Sequence, residues 1–364
     1  MQPPINPFSR DEQGQPSQQQ LPASLQLVYL INGVLIFHAI CVVAQYNLAS
    51  TLEAHGPLTV AELSEKSGTH GFSLFRLLRA LARIGIFQEV NPEEADHLQV
   101  RFAQTELSHA LVPHLPESMY DVARLYDADW HQHAWSVFAR SIATGEPGLR
   151  LHTGKDLWEY LGEHPSEQEQ FQRVMSLISR LAETSILRSY DFSSFERVVD
   201  VAGGRGTLLL SILRAYPHLA GTLFDQAEVI ELARPLLLQD PDFGRRCELV
   251  SGNFFQADEL PAGGDCYCLM QILHDWNDEH CLQILRNIRQ AIRPNGRLLI
   301  FERVIMPGPG GVYNTFFDLE MLALLEGRER TPREYERLLH ASGFRLSAVR
   351  PTLSNFSIVE GIPL

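Results

Sequence analysis

The feature that most constrains this chain is an alternation of short β-rich runs with helical stretches over its second half. The predicted strands are residues 197–201, 221–225, 247–250, 265–270, 297–305, 344–350 and 355–360. Such an alternation predicts parallel β–α–β units that form a doubly wound sheet with helices on both faces, an α/β fold. Because such sheets bind ligands at the carboxyl ends of their strands, the residues that follow each strand are the candidates for a functional site.

Composition indicates a soluble globular protein with no general attraction for nucleic acids. Of the 364 residues, 45% are apolar and 20% are charged, close to the average of folded domains. The 44 acidic residues outnumber the 30 basic ones and give a net charge of −14, which repels a phosphate backbone. The five cysteines have neither paired nor zinc-binding spacing, so we expect free thiols, no metal site and a cytoplasmic location.

The N-terminal region carries two unusual segments. Residues 1–20 are rich in Gln and Pro and predict a flexible tail, without the pattern of a signal peptide. Residues 27–43 form the most apolar stretch, but Asn32, Gly33 and His38 interrupt it and no Lys or Arg flanks it closely. This pattern favours burial in a core or a dimer interface over a membrane span.

Residues 58–102 have the outline of a winged helix. The predicted elements are helices at 59–67 and 72–83 and strands at 86–90 and 98–102. On the second helix an apolar stripe faces one way and three arginines lie off it; the stripe is Leu74, Leu77, Leu78 and Leu81, and the arginines are Arg76, Arg79 and Arg83. DNA recognition by this helix is one interpretation, but the acidic residues 91–96 and the net charge favour a solvated face or a protein contact.

A glycine-rich turn follows the first predicted strand of the second half. The strand ends at Asp200-Val-Ala and leads through Gly203 to Gly206 into a helix, and the next strand ends at Asp225. Glycines allow a ligand to approach the backbone closely, and an acid about twenty residues further on can accept both hydroxyls of a ribose. By itself this pattern fits NAD, FAD or S-adenosylmethionine, or a structural turn without a ligand.

The spacing within this turn favours S-adenosylmethionine. Dinucleotide folds place G-x-G-x-x-G here to hold a pyrophosphate, whereas this chain places the acid Asp200 at the strand end, where a ligand ammonium can be bound. Asn253 and Phe254, after the third strand, can supply an amide and a ring for an adenine. Core packing is the competing interpretation of Phe254.

Three side chains predict acid–base chemistry at the same sheet edge. His274 follows the fourth strand, Glu302 ends the fifth, and Glu329 precedes a helix that Thr331 caps. One histidine with two acids at matching strand ends favours a general base. We also predict that Asp278 caps the helix that follows His274.

These motifs resemble a known family. The run Val199-Asp-Val-Ala-Gly-Gly-Arg-Gly, the run Leu273-His-Asp-Trp-Asn-Asp-Glu-His-Cys, Glu302 and the run Gly327-Arg-Glu-Arg-Thr occur in the order seen in S-adenosylmethionine-dependent O-methyltransferases of the plant caffeate, hydroxyindole and bacterial antibiotic-tailoring type. The resemblance runs from about residue 22 to near the end of the chain. It implies a Rossmann-like, seven-stranded methyltransferase sheet with an N-terminal winged-helix dimerisation domain.

The resemblance implies His274 as the general base, with Glu302 and Glu329 flanking it. The predicted cofactor-binding set is Ser179, Asp200, Gly203, Gly204, Asp225, Asn253, Phe254 and Gln271. The family pattern is not fully met: Ala202 replaces a glycine, Asn253 an acid and Met270 a lysine. The candidate walls of the acceptor site are Trp130, His133, Trp135, Met175, Asn314, Asp318, Met321 and Leu325.

We therefore expect an O-methyltransferase that acts on a hydroxyl of a small aromatic molecule and binds neither nucleic acid nor a membrane. S-adenosylmethionine is the expected cofactor, S-adenosylhomocysteine the product and a homodimer the expected state. The competing hypotheses are a relative that methylates carbon or nitrogen or uses the cofactor in another reaction, and a winged-helix regulator that senses it. The expected organisation is a tail at 1–20, a dimerisation domain at 21–112, a helical segment with the substrate pocket at 113–190 and a catalytic domain at 191–364.

Overall fold

The computed structural model describes residues 22–239, 241–308 and 311–364, so the tail predicted at 1–20 lies outside the described residues. The chain divides into two compact units: the first ends at Ala128 and the second begins at Asp129. The predicted helical segment at 113–190 is thus shared between them.

The first unit is helical with a small antiparallel sheet. Its elements are α1 (Ala23–Ile31), α2 (Gly33–Gln45), α3 (Leu48–His55), β1 (Leu58–Thr59), α4 (Val60–Ser67), α5 (Gly71–Arg83), β2 (Phe87–Glu89), β3 (Arg101–Gln104), α6 (Glu106–His109) and α7 (Tyr120–Tyr126). The strand order is β1-β3-β2. The strand predicted at 98–102 begins three residues later because Asp96 Oδ1 accepts the backbone N–H of Leu98 in a turn.

Helix α5 buries its leucine stripe as predicted. Leu74, Leu78 and Leu81 are buried in the core of the first unit. Arg83 pairs with Glu89, and Arg79 lies over the ring of Phe75. These contacts leave the arginines on the outer side of the helix.

The apolar N-terminal segment forms two helices rather than one. Helix α1 ends at Ile31 and α2 begins at Gly33, and the residues of α1 are largely exposed. Among the described residues, Ala23–Gln45 is the one stretch with the length and composition of a membrane-spanning helix, and 17% of its most apolar 18-residue window is buried. Its exposed side chains include Leu27, Leu30, Ile31 and Leu35.

The second unit begins with helices and continues as an α/β sheet. The helices are α8 (Asp129–Ser136), α9 (Phe138–Thr144), α10 (Gly148–Thr153), α11 (Leu157–Glu163) and α12 (Pro165–Ser189). The remaining elements are β4 (Arg197–Val201), α13 (Thr207–Ala215), β5 (Ala220–Asp225), α14 (Ala227–Leu238), α15 (Pro241–Arg246), β6 (Cys247–Ser251), β7 (Cys266–Met270), a 3-10 turn (Leu273–Asp275), α16 (Asp278–Ala291), β8 (Arg297–Glu302), α17 (Val312–Leu324), α18 (Pro332–Ala341), β9 (Phe344–Pro351) and β10 (Ser357–Pro363).

The seven-stranded sheet has the order β6-β5-β4-β7-β8-β10-β9. Strands β4 to β8 are parallel, but β10 runs antiparallel to both β8 and β9, which corrects the expectation of parallel units throughout. The connection between β9 and β10 is too short for a parallel crossover, so these strands form a hairpin. The chain reverses its direction across the sheet between β4 and β7, and such a switch point opens a crevice at the carboxyl ends of the strands.

Each central strand is buried on both of its faces. Val199 and Tyr267 pack on one face with helices α16 and α18, and Val198 and Cys266 pack on the other with α12 and α13. Because successive side chains point to opposite faces, two hydrophobic cores form around one sheet.

Candidate active site

The glycine-rich turn between β4 and α13 adopts a left-handed backbone at three residues. The φ angles are 55° at Ala202, 59° at Gly204 and 74° at Gly206. The backbone N–H of Gly204 donates to Asp225 Oδ2 at 2.8 Å, which joins the turn to the end of β5. A Cβ atom at Gly203 would lie 2.5 Å from Asp200 Oδ2, so this position excludes a side chain.

Two acids lie at the strand ends beside this turn. Asp200 is buried, and neither of its carboxylate oxygens has a hydrogen-bond partner among the described residues. Burial and the nearby Asp225 raise the pKa of Asp200 to about 7. Burial also raises the pKa of Asp225, although its oxygens accept the N–H groups of Gly204 and Gln226. An unpartnered buried acid next to an open backbone turn fits a ligand with an ammonium and a ribose.

The predicted adenine residues lie in an aromatic cluster after β6. Asn253 Oδ1 accepts the backbone N–H of Phe255 at 2.9 Å, which uses one of its two lone pairs. The ring centroids of Phe254 and Phe255 are 4.7 Å apart, and that of Trp276 lies 6.0 Å from Phe254. Trp276 was not among the predicted residues, although it stands two positions after His274.

The predicted contacts Met175 and Ser179 lie one turn apart on α12. This helix packs against α13, which begins directly after the glycine-rich turn. Glu183 Oε2 accepts a hydrogen bond from Ser211 Oγ at 2.7 Å and joins the two helices.

Gln271 has a left-handed backbone, with φ of 56°, directly after β7. Its side chain, predicted to bind the cofactor, accepts a hydrogen bond at Oε1 from Arg303 Nη1 at 2.8 Å. A non-glycine residue held in this conformation is strained and is typical of functional sites.

His274 lies between two carboxylates. Its Nδ1 is 2.9 Å from Glu329 Oε1, and its Nε2 is 3.3 Å from Asp275 Oδ1. Burial opposes the charged ring, but Glu329 and Asp275 outweigh it and raise the pKa of His274 to about 9. Burial likewise raises the pKa of Asp275 to about 7.

Glu302 holds the backbone of this loop rather than the ring. Its Oε1 accepts the N–H groups of Ile272, Leu273 and His274 at 3.2, 2.6 and 3.1 Å, and Oε2 accepts the hydroxyl of Tyr335. Of the two predicted flanking acids, only Glu329 therefore contacts the imidazole within the described residues.

Two buried arginines of the site were missed by the sequence analysis. Arg330 Nη1 donates to the carbonyl of Leu273 at 2.7 Å and its Nη2 to that of Trp276 at 2.8 Å, so it fixes the loop from the other side. Arg303 lies beside Glu329, with Nη1 and Oε1 3.9 Å apart. Each of these arginines directly follows a predicted acid, Glu302 or Glu329. This adjacency is the one sequence signal that could have identified them.

Apart from Met175 on α12, the predicted wall residues lie on α8 and α17 and directly after α17. Asn314, Asp318, Met321 and Leu325 share one face, but Asn314 Nδ2 donates to two backbone carbonyls and Asp318 Oδ1 accepts the N–H of Glu329 at 2.7 Å. Both polar groups thus have structural partners.

Helix α8 is joined to α17 through a buried acid that the sequence analysis missed. Glu320 faces His131 Nε2 at 2.6 Å and accepts from Trp135 Nε1 at 2.7 Å. Trp130 is buried next to Tyr160, whereas His133 is exposed and stacks on His152. Of the three predicted wall residues on α8, His133 is therefore the most exposed to solvent.

Helix α16 has a different cap from the one predicted. Asn277 is the N-cap, and its Oδ1 accepts the N–H of His280 at 3.0 Å. Asp278 begins the helix, where its carboxylate pairs with Arg330 at 2.9 Å and with Arg328 at 2.8 Å. The two arginines engage the carboxylate that would otherwise cap the helix.

The sheet order, the hairpin at its end and the acids beside the glycine-rich turn define a Rossmann-like, S-adenosylmethionine-dependent methyltransferase. The family model for the O-methyltransferase domain matches residues 135–345, and that for the O-methyltransferase dimerisation domain matches residues 28–114. The chain belongs to the O-methyltransferase family and is a methyltransferase enzyme.

Several relatives are similar over nearly their whole length. Phenazine O-methyltransferase PhzM of Lysobacter antibioticus is 36% identical over 94% of this chain and 97% of its own. The mitomycin biosynthesis 6-O-methyltransferase of Streptomyces lavendulae is 35% identical over 88% and 89%. The 8-amino-8-demethylriboflavin N,N-dimethyltransferase of Streptomyces davaonensis is 32% identical over 87% and 89%, so the similarity extends to an enzyme that methylates nitrogen.

Solved structures agree with this assignment. The mitomycin 7-O-methyltransferase MmcR has a TM-score of 0.85 at 34% identity and covers 94% of this chain and 98% of its own. The O-methyltransferase NcsB1, solved with S-adenosylmethionine and 2-hydroxy-5-methyl naphthoic acid, has a TM-score of 0.75 at 31% identity, over 90% and 96%.

Proposed function

We propose that this enzyme transfers a methyl group from S-adenosylmethionine to a phenolic hydroxyl of a small aromatic molecule, with His274 as the general base. The observation that carries the proposal is the placement of the His274 ring between Glu329 at Nδ1 and Asp275 at Nε2. A base held by a carboxylate at one nitrogen can accept a proton at the other.

The cofactor, when bound, supplies an electrophilic methyl group on a sulfonium. Asp225 would accept the ribose hydroxyls, Gly203 and Gly204 would lie along the methionine portion, and the unpartnered carboxylate of Asp200 would receive the ammonium. Asn253 and Phe254 would contact the adenine, and Ser179 would face the carboxylate. These residues fit the cofactor because the turn leaves room for a ligand at the backbone.

The residues of the loop after β7 then remove the proton of the acceptor. A phenol has a pKa near 10, so it is mostly protonated at neutral pH. The neutral form of His274, the minor form below its pKa of about 9, takes that proton as the carbon–oxygen bond forms, and the raised pKa makes this form a stronger base. The resulting imidazolium lies between the carboxylates of Glu329 and Asp275, which stabilise its charge.

We further propose that the reaction needs no metal ion and that the enzyme is a cytoplasmic homodimer which binds neither nucleic acid nor a membrane. No group of three or more His, Cys, Asp and Glu side chains suited to a metal ion occurs among the residues that the structure describes. The match to the dimerisation domain supports the dimer.

The test is methylation of a series of phenols, followed by mass spectrometry, with wild type and two variants. His274→Ala should lower the rate with a phenol of high pKa by about 10² to 10⁴ and leave the affinity for S-adenosylhomocysteine in calorimetry nearly unchanged. Asp225→Ala is the reciprocal control, because its main effect should be a weaker affinity for the cofactor.

The loss in His274→Ala should shrink with phenols that are already ionised at the assay pH, because they need no base. Full activity of His274→Ala on a phenol of high pKa would contradict the assignment, and so would an equal loss for weakly and strongly acidic phenols.

N-methylation is the second candidate function, because a similar enzyme is an N,N-dimethyltransferase. Matched aromatic amines and phenols separate the two. An aromatic amine is neutral and nucleophilic at neutral pH and needs no base before it attacks, so faster turnover of the amine with no dependence on His274 would favour N-methylation.

A further inference from the structure

Arg303 is a buried cation beside the base. It follows β8 directly and is 2% exposed. Its guanidinium carbon lies 3.8 Å from the ring centroid of Phe317 and 4.7 Å from that of Phe356, and its Nη1 donates to Gln271 Oε1 at 2.8 Å. Burial of a guanidinium raises the free energy of the folded state unless an opposite charge lies near it. The carboxylate that Arg303 faces supplies this opposite charge.

That carboxylate is Glu329, the acid that also holds His274. Glu329 Oε1 lies 2.9 Å from His274 Nδ1 and 3.9 Å from Arg303 Nη1, so one oxygen faces both groups. The parallel bridge between Val304 and Arg330 brings the residues that precede them, Arg303 and Glu329, onto neighbouring segments. The backbone bridge therefore holds Arg303 and Glu329 close to each other.

The other charged groups near Glu329 are mostly acids. Asp275 lies on the far side of the His274 ring, Asp318 of α17 accepts the N–H of Glu329, and Glu302 of β8 holds the loop. Arg330, the other buried arginine, bonds to loop carbonyls and to Asp278. Among the described residues, Arg303 is accordingly the arginine that forms an ion pair with Glu329.

We propose that Arg303 is a positioning residue for methyl transfer: its charge fixes the Glu329 carboxylate at the point from which it orients the His274 ring. The proposal rests on the proposed function of His274 as the base. A carboxylate at Nδ1 keeps the hydrogen on that nitrogen and leaves Nε2 to accept the proton of the acceptor. Without the cation, the carboxylate is free to turn away from the ring.

The strained backbone of Gln271 fits this role. Gln271 has a left-handed backbone and accepts Arg303 Nη1 at its Oε1, and the rings of Phe317 and Phe356 pack against the guanidinium. A planar guanidinium suits such a place better than a lysine, because it stacks on rings and donates in fixed directions.

A double-mutant cycle between Arg303 and Glu329 tests the proposal. The variants are Arg303→Met, Glu329→Gln and the double substitution, assayed with one phenol of high pKa and one that is ionised at the assay pH. If Arg303 acts through Glu329, each single variant lowers kcat with the high-pKa phenol by about tenfold or more. The double variant then loses no more than about twofold beyond Glu329→Gln, since the interaction is already absent.

The ionised phenol and the cofactor affinity separate this role from a purely structural one. Arg303→Met should lose much less activity with the ionised phenol and should bind S-adenosylhomocysteine as wild type does. Multiplied losses in the double variant, or equal losses with both phenols, would overturn the proposal.

Arg303→Lys covers the case in which Arg303→Met does not fold. Arg303→Lys keeps the positive charge and loses the stacking on the rings. Its activity with the high-pKa phenol should therefore be well above that of the neutral variant Arg303→Gln. Equal losses in these two would overturn the role of the charge. His274→Ala in the same assay separates the two claims: full activity there overturns the base itself, whereas a loss there with additive Arg303 effects overturns only the inference.

Discussion

At the scale of single residues, the proposed chemistry depends on what surrounds one histidine. Glu329 contacts the ring of His274, whereas Glu302 holds the backbone that carries it. Glu302 ends β8 and Glu329 lies just before α18, and the two acids do different work. A motif gives the residue types, and the direction of each side chain decides between orienting a ring and fixing a loop.

The raised pKa of His274 predicts how the rate depends on pH. In the proposed mechanism the reactive base is the neutral imidazole, which is the minor form below a pKa of about 9. With a phenol of pKa near 10, kcat/KM should therefore rise about tenfold per pH unit from pH 6 to 8 and level off near pH 9. A rate profile across this range measures it.

Glu329→Gln provides the comparison for this profile. Removal of a carboxylate that raises the pKa of His274 should move the plateau to lower pH, together with a lower maximal rate. A plateau at the same pH in both enzymes would show that another group titrates.

At the scale of elements, the turn between β4 and α13 shows how a local conformation serves the site. It places backbone N–H groups and two acids at one sheet edge, and it needs left-handed residues to do so. Two of these are glycines, but the first is Ala202, with φ of 55°. A residue with a Cβ atom is strained in this region by about 1–2 kcal/mol.

Ala202→Gly should therefore raise the free energy of unfolding by up to about 1 kcal/mol, because relief of strain exceeds the added entropy of the unfolded chain. The control is Ala139→Gly, at an exposed position of α9, which should lower it by about 1 kcal/mol. Chemical denaturation of both variants measures the difference. Equal destabilisation by the two substitutions would refute strain at Ala202.

At the scale of the whole molecule, the first unit presents apolar surface that its own core does not cover. Leu30 and Leu35 are 73% and 64% exposed, within a segment that the dimerisation domain largely includes. Large exposed apolar patches mark interaction sites, and most soluble assemblies are symmetric dimers.

We expect the wild type to be a dimer by light scattering at micromolar concentration and without detergent. Leu30→Glu combined with Leu35→Glu should shift it towards monomer, because charges in an apolar interface are costly to bury. Leu232→Glu, on the exposed side of α14, is the matched control and should remain dimeric. A monomeric wild type, or sedimentation of the wild type with lipid vesicles, would contradict this interface.

The sequence alone determined the class of the fold, and it predicted the cofactor edge and the base, because these depend on local patterns. Alternating strands and helices, a glycine-rich turn and acids at strand ends are all encoded within a few residues of one another. Tertiary structure decided the antiparallel hairpin at the sheet edge, the different tasks of Glu302 and Glu329, and the burial of Arg303 and Glu320. These features join residues far apart in the chain, and their partners are set by packing and charge compensation that no local pattern records.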